Sequence, residues 1–149
     1  MQLARDIMTD DLALITADDT VPSAAELMRT RGVGMLPVVD DLQARHFVGA
    51  ITVRDIVVRH VAVGHGPTAR VHEHMSREPL VTVAPTSTVD EVADAMMRFQ
   101  VRRVPVVDGG KVVGIIAQAD LALKVGPEDP GLVEGVTEAI SRPGTLVSH

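Results

Sequence analysis

The sequence predicts a mixed α/β protein of the α+β type. Two tandem β-α-β-β-α repeats are expected to pack about a pseudo-two-fold axis, and a short C-terminal helix follows them. Two observations predict this fold: a set of landmarks that occurs twice in the same order, and short apolar runs that alternate with amphipathic segments. The 149 residues suffice for one compact unit or for two small halves that share a core.

The duplication appears as matched residues at a nearly constant spacing. Thr20 pairs with Thr88 and Pro37 with Pro105 at 68 residues, and Gly49 pairs with Gly114 and Asp55 with Asp120 at 65 residues. The spacing changes only across a loop, where the second copy has the shorter hairpin, Asp108-Gly109-Gly110. Ordered landmarks of this kind are hard to obtain by chance, and they predict two structurally similar halves.

Each copy is predicted to contain a strand, a helix, two strands and a helix. In the first copy the strands are 12–15, 36–39 and 47–51, with helices from the Thr20 cap and over 53–61. In the second copy the strands are 80–83, 104–107 and 111–116, with helices from the Thr88 cap and around Asp120. The predicted boundaries are 1–61 for the first repeat, 62–71 for a linker, 72–125 for the second repeat and 126–149 for a tail.

The tail is predicted to hold a helix over 132–140 with Val133, Val136 and Ile140 on one stripe. This stripe requires cover, either from its own domain or from a second chain.

Composition argues against several classes of protein. The formal net charge of −6 disfavours a nucleic-acid binder, and two phenylalanines as the only aromatic residues provide no platform for base stacking. No apolar run approaches the ~20 residues that a membrane span needs, and the N-terminus lacks a signal-peptide core. With no cysteine, the chain suits a reducing compartment. We therefore expect a cytoplasmic protein that binds neither nucleic acid nor membrane.

Each copy has a strand-to-helix turn that ends in an aspartate. In the first, Thr52 and Asp55 have the spacing of a capping box, in which hydroxyl and carboxylate each accept a backbone amide. In the second, Ala117 replaces the threonine while Asp120 remains, so capping does not fully explain the retained acid. Structural capping and ligand binding both remain open for these residues.

The two openings Asp6-Ile7-Met8-Thr9 and Glu73-His74-Met75-Ser76, the two Pro-Val-Val-Asp strands and the two Gly-to-Asp turns resemble a pair of CBS domains, the Bateman module. The resemblance extends from about residue 6 to residue 125 and is closest to CBS-pair proteins that stand alone. It implies a homodimer and a regulatory role. It also implies a ligand such as AMP, ADP, ATP or S-adenosylmethionine in clefts between the repeats, with no other cofactor.

Carried over residue by residue, the resemblance implies two nucleotide clefts. The favoured cleft would use Thr52, Arg54, Asp55, Ser76, Leu80, Val81 and Arg103. A second, weaker cleft would use Thr9, Leu12, Ala13, Met35, Arg102 and Asp120. In each cleft the carboxylate would accept the two vicinal ribose hydroxyls, and arginines would reach the phosphate.

Other functions are weighed against this one. The alternative from another class is a ligand-free dimer that acts in interaction or stress response; a nucleotide hydrolase is a weaker option. The sequence holds no recognisable catalytic set, so no enzyme is predicted. His60, His65, His72 and His74 lie near the linker, but their spacing matches no recognised zinc pattern, and no metal site is predicted.

Overall fold

The computed structural model describes residues 1–77 and 80–142 and shows the expected mixed α/β architecture. The helices are α1 (Ala4–Ile7), α2 (Val21–Arg31), α3 (Val53–Asp55), α4 (Val89–Phe99), α5 (Gln118–Lys124) and α6 (Pro130–Ser141). The strands are β1 (Ile15–Thr16), β2 (Met35–Val39), β3 (Phe47–Thr52), β4 (Arg103–Asp108) and β5 (Lys111–Ala117). A π-helical segment (Ile56–Val61) continues α3, and a 3-10 turn spans Val71–Glu73.

The chain forms two compact units, which differ slightly from a simple division into halves. The first-repeat unit contains Ala13–Leu80 and Gly110–Val112. The second-repeat unit contains Met1–Leu12, Val81–Gly109 and the described residues from Val113 onward. The opening segment with α1 therefore belongs to the unit formed by the second repeat.

The first-repeat unit has a three-stranded sheet in the order β1-β2-β3. β1 runs parallel to β2, and β2 is antiparallel to β3 with an irregularity between Val38 and Val39. Leu36 and Val38 on β2 and Ile51 on β3 are fully buried and form a core with residues of α2, Val21 and Met28 among them. Burial of this apolar surface is the main stabilising term for so small a unit.

The second-repeat unit has a two-stranded sheet, β4-β5, connected by a tight turn. Both turn glycines, Gly109 and Gly110, have positive φ (57° and 82°), which a two-residue hairpin of this twist requires. The core of this unit collects residues of α1, α4, α5 and α6 around the sheet, with Met96, Val104 and Ile116 fully buried.

The predicted first strands are wrong in their extent. In the first repeat, pairing starts only at Ile15 and covers two residues instead of 12–15. In the second, a single parallel bridge between Val83 and Val106 stands where the strand 80–83 was predicted. The apolar runs mark residues that are partly buried, whereas pairing requires the backbone to lie beside β2 or β4, and hydrophobicity alone does not determine that position.

The predicted tail helix is present but begins earlier, at Pro130. The carboxylate of Asp129 accepts the amide N–H of Leu132 at 3.1 Å, and proline is well tolerated in the first helical turn. α6 packs on α4 within its own unit, where Val136 is fully buried. Of the two covers considered for the apolar stripe, its own domain provides one. Residues 143–149 of the predicted tail lie outside the described range.

Candidate functional site

The turn between β3 and α3 forms the predicted capping box. Thr52 Oγ1 accepts the amide of Asp55 at 3.1 Å, and Asp55 Oδ2 accepts the amide of Thr52 at 2.9 Å. The other carboxylate oxygen, Oδ1, lies 3.8 Å from Nε of Arg59, which is an ion-pair distance too long for a hydrogen bond. The Asp55 side chain is only 2% exposed. A buried carboxylate therefore keeps one oxygen available as an acceptor.

The matching turn between β5 and α5 keeps half of this arrangement. Asp120 Oδ2 accepts the amide of Ala117 at 2.7 Å, although Ala117 has no side-chain acceptor to return the bond. The carboxylate half of the box therefore remains without the threonine, because that half needs only a backbone amide. Oδ1 of Asp120 lies 3.7 Å from Lys124 Nζ, and the side chain is 18% exposed.

The openings of the two repeats lie beside these turns. Ser76 exchanges two backbone hydrogen bonds with Ala50 on β3, at 2.8 and 3.0 Å. Thr9 exchanges the corresponding pair with Ile115 on β5, at 2.9 and 3.0 Å. Both predicted hydroxyl residues are thus placed at a strand two residues before the N-cap of the following helix. Within the first-repeat unit, the structure brings Ser76 to the same strand end as Thr52 and Asp55.

The other predicted site residues are distributed over both units. Arg54, Leu80, Ala13 and Met35 belong to the first-repeat unit. Val81, Arg103, Leu12 and Arg102 belong to the second-repeat unit. Arg54 and Arg102 are exposed, whereas Arg103 is half-buried at the start of β4. Each predicted set therefore draws on both units, and its assembly into one cleft stays a prediction.

A histidine cluster is the feature that the sequence reasoning missed. His60, His65 and His74 each offer a ring nitrogen, and these nitrogens lie within 4.8 Å of one another. Nδ1 of His65 and Nε2 of His74 are 2.9 Å apart, so one of the two must carry the shared proton. His60 and His74 are 8% and 3% exposed. The fourth histidine near the linker, His72, is not a member of this group.

The environment of His74 favours its neutral imidazole. Burial is the main cause that lowers the pKa of His74 from its ordinary value of 6.5. Its neighbours His65 and His60 and the Arg59 guanidinium lower the pKa further, while Glu73 acts in the opposite direction. His74 therefore stays unprotonated to lower pH than a free histidine and keeps a lone pair available.

The repeat register contained a signal for these residues. By the 65-residue offset of the aspartates, His60 corresponds to Val125, and by the alignment of the two openings His74 corresponds to Ile7. Ile7 and Val125 are buried in the apolar core of the second-repeat unit. Imidazoles at two positions where the duplicate has core hydrophobes are unusual, and local spacing along the chain does not reveal them.

None of the described helices is long and apolar enough to cross a membrane.

Comparison with known proteins places the chain in a family. The model of the CBS domain matches it twice, over residues 4–60 and 71–126. Hypoxic response protein 1 of Mycobacterium tuberculosis is 34% identical over 148 residues, which are 99% of this chain and the whole of that protein.

Two solved structures are informative. The structure of Hypoxic Response Protein I with two coordinated zinc ions has a TM-score of 0.73 and 33% identity, covering 82% of this chain and 98% of that one. The structure of CBSX2 in complex with AMP has a TM-score of 0.72 and 25% identity, covering 84% and 96%. With two matched domains in tandem and the repeated order of turns described above, this chain belongs to the CBS domain family and contains a CBS pair.

Proposed function

We propose that this CBS pair is a regulatory module that binds an adenosine-containing ligand such as AMP, ADP, ATP or S-adenosylmethionine. One observation carries the proposal: Asp55 is a buried carboxylate whose Oδ2 is used by the helix cap while Oδ1 lacks a close hydrogen-bond donor among the described residues. A ligand that donates to this oxygen gains a hydrogen bond to a carboxylate, which is stronger than one between neutral groups.

The chemistry of the turn suits a ribose. Two vicinal hydroxyls donating to one ionised carboxylate make charge-assisted hydrogen bonds, which are about twice as strong as neutral ones. Asp55 lies in the first turn of a helix that continues to Val61, close to the partial positive charge of the helix N-terminus and to the Arg59 guanidinium. The exposed Arg54 next to it is available for a phosphate.

The comparisons support the ligand class and no finer detail. CBSX2, which is 25% identical to this chain, has been crystallised with AMP. For this chain, the choice among adenosine-containing ligands is open. The participation of Leu80, Ser76, Val81 and Arg103 is part of the proposal.

We favour the nucleotide site that contains Asp55 over the one that contains Asp120. Asp55 is far more buried, and Thr52 presents a hydroxyl where the other turn has Ala117. A less exposed carboxylate meets less competition from water for its hydrogen bonds. Thr9, Leu12, Ala13, Met35, Arg102 and Asp120 form the weaker site in this proposal.

The ligand would act by population shift. If it binds one arrangement of the repeats better than another, it raises the population of that arrangement by its difference in affinity. A partner protein that recognises this arrangement then reads the ligand concentration. The proposal includes a cytoplasmic location and no catalytic activity.

A homodimer is part of the proposal. Four valines on residues 53–61 are about half exposed or more, namely Val53, Val57, Val58 and Val61 at 49%, 51%, 49% and 63%. An exposed apolar helix face of this kind is typical of an interaction surface. Light scattering should give the mass of two chains, and Val57→Glu should reduce it to one; a native chain that is monomeric at all concentrations would contradict the dimer.

Isothermal titration of the full chain with AMP, ATP and S-adenosylmethionine tests ligand binding. The matched variants are Asp55→Asn and Asp120→Asn, because each retains an oxygen for the N-cap amide and removes one charge. We expect saturable binding to the native chain and a loss of about 10-fold or more in Asp55→Asn, since hydrogen bonds to charged groups contribute about 1.5–3 kcal/mol. In Asp120→Asn the tighter site should be unchanged. Equal affinities in the native chain and Asp55→Asn would contradict the assignment.

The second candidate function is a ligand-free interaction or stress-response protein. It is favoured by the local contacts of Asp55, which the cap and Arg59 provide without any ligand. A relative that is 34% identical is called a hypoxic response protein. If none of the three ligands produces saturable heat or raises the melting temperature, this second function becomes the better account.

A further inference from the structure

We propose that His60, His65 and His74 form a binding site for one divalent transition-metal ion, with Zn²⁺ as the best-suited ion. The three side chains come from the end of the π-helical segment, from the loop that follows it, and from the residue after the 3-10 turn. All three belong to the first-repeat unit. The site is separate from the nucleotide site of the proposed function and does not depend on it.

The distances suit a metal with few ligands. Tetrahedral zinc binds imidazole nitrogen at about 2.0–2.1 Å, which separates neighbouring ligand nitrogens by roughly 3.3 Å. The three nitrogens here lie within 4.8 Å of one another, and the closest pair, in His65 and His74, is 2.9 Å apart. Small rotations of the rings would bring the set to coordination geometry. The remaining position of the tetrahedron would be taken by water or by an external ligand.

The orientations of the three histidine rings are compatible with binding to one ion. The ring of His60 is nearly perpendicular to those of His65 and His74, at 82° and 80°, with centroids 6.3 and 5.3 Å away. The rings of His65 and His74 are 44° apart in plane, with centroids at 4.8 Å. The three rings are thus close together and differ in orientation, as the ligand rings of a tetrahedral site do.

An independent observation is the unpaired nitrogen of His60. This side chain is only 8% exposed, and its Nδ1 is buried without a hydrogen-bond partner among the described residues. Leaving a buried polar group unsatisfied costs free energy, whereas the valine that the duplicate has at this position has no polar group to satisfy. A bound metal explains why an imidazole occupies this position, because it would either use this nitrogen or fix the tautomer of the ring.

The ligand type and the neighbouring charges indicate which ion the three histidines would bind. Arg59 donates to the backbone oxygen of His74 at 3.4 Å and opposes a cation, while the neighbouring Glu73 favours one. A set of imidazole ligands without a carboxylate does not suit the hard ions Mg²⁺ and Ca²⁺, but it suits zinc and its neighbours in the transition series. The nearly balanced charges leave coordination as the main source of affinity.

Such an ion would crosslink the two ends of the segment that was predicted as a linker. Residues 60 and 74 enclose the whole segment predicted as a linker. Its end is bonded to the residues before α2, where the Val71 amide donates to the Asp19 carbonyl at 2.8 Å, and its start is bonded locally, where the His65 amide donates to the His60 carbonyl at 3.0 Å. A metal that joins both ends of the segment and one point within it would restrict the segment in the folded state and stabilise that state by mass action.

The test uses the full chain, stripped with EDTA and titrated with Zn²⁺ against a chromophoric chelator, with Co²⁺ as a spectroscopic probe of geometry. We expect one ion per chain and visible Co²⁺ bands of a tetrahedral site. His65→Ala changes an exposed residue, and His60→Val installs the residue of the duplicate, so both should fold. Each should weaken Zn²⁺ binding more than about 100-fold, beyond the usual effect of an outer-shell change. His72→Ala is the matched control and should bind as the native chain does.

Three results would overturn the proposal. The first is no saturable Zn²⁺ binding by the native chain. The second is unchanged binding in His60→Val or His65→Ala, when circular dichroism shows both to be folded. The third is an equal loss in His72→Ala, which would indicate unspecific binding to surface histidines.

Discussion

The two units of this protein share several backbone contacts and have different side chains at matching positions. In the second-repeat unit, Ile7 and Val125 are buried among apolar neighbours, and Lys124 Nζ donates to the Ile7 carbonyl at 2.9 Å. In the first-repeat unit the corresponding positions hold His74 and His60, and an arginine donates to the His74 carbonyl at 3.4 Å. Because the duplicate buries apolar side chains at these two positions, packing alone does not explain why the first-repeat unit has histidines there.

The strand-to-helix turns likewise share a backbone contact and differ in the burial of the side chain that makes it. Both aspartates accept the amide of the residue three positions before, and so does Asp6 at the start of α1, where Leu3 N donates at 2.8 Å. Asp6 is exposed, so this contact alone does not identify a ligand site. What distinguishes Asp55 is its burial together with the reciprocal bond that its amide donates to Thr52 Oγ1.

The largest expected effect comes from exchanging residues between the two units at the Ile7/His74 position. Ile7→His should destabilise the protein by about 3 kcal/mol or more, because it removes a buried aliphatic side chain and buries an unpaired imidazole. His74→Ile in metal-free protein should change stability by less than about 1 kcal/mol, because a polar group is replaced by the apolar type of the duplicate. Denaturant unfolding in EDTA measures both. A loss of stability in His74→Ile as large as that in Ile7→His would contradict the account, because it would show that packing at residue 74 requires the imidazole.

A smaller difference is expected at the two glycines that face the repeat openings. A Cβ at Gly49 would lie 2.8 Å from the backbone oxygen of Ser76, whereas the three nearest atoms to one at Gly114 all belong to the Met8 side chain. Because a side chain yields more easily than backbone, Gly49→Ala should cost about 2 kcal/mol and Gly114→Ala about 1 kcal/mol. Thermal unfolding of the two variants provides the comparison, and the reverse order would contradict this account of the turns.

The smallest effect concerns the helix caps. Thr52→Ala removes the hydroxyl that accepts the Asp55 amide and should cost about 1 kcal/mol. Ala117→Thr adds the missing half of the box, and the extended backbone at this position (φ −98°, ψ 159°) fits a cap, so a gain of about 0.5 kcal/mol is expected. Urea midpoints of the two variants should move in opposite directions. A loss of stability in Ala117→Thr would contradict the equivalence of the turns.

The sequence was sufficient to predict the architecture, because the duplication constrains every element twice. Helices capped by Thr20 and Thr88 form as expected, since their side chains accept the amides of Ser23 and Glu91 at 3.2 and 3.1 Å. The first strands were not predictable in length, because pairing depends on where the chain meets β2 or β4. The earlier start of α6 results from the Asp129 cap, which was interpreted as part of a chain break.

The candidate site was predictable only in part. Thr52 and Asp55 could be identified because their contacts are local in sequence. The histidine cluster could not be identified from spacing, since it depends on a π-helical segment that positions His60 and on a loop that returns the chain to His74. At the end of the π-helical segment the Ala62 amide donates to the carbonyl of Val57, five residues earlier, a geometry that neither composition nor periodicity predicts.

The most direct measurement of the central claim is the affinity of the native chain and of Asp55→Asn for AMP and for 2′-deoxy-AMP. If the Asp55 carboxylate accepts the ribose hydroxyls, the native chain should prefer AMP by about 10-fold or more, since a hydrogen bond to a charged group contributes about 1.5–3 kcal/mol. The variant should bind both ligands equally weakly. A native chain that does not distinguish the two nucleotides, or a variant that keeps the full preference, would contradict the assignment of Asp55 to the ribose.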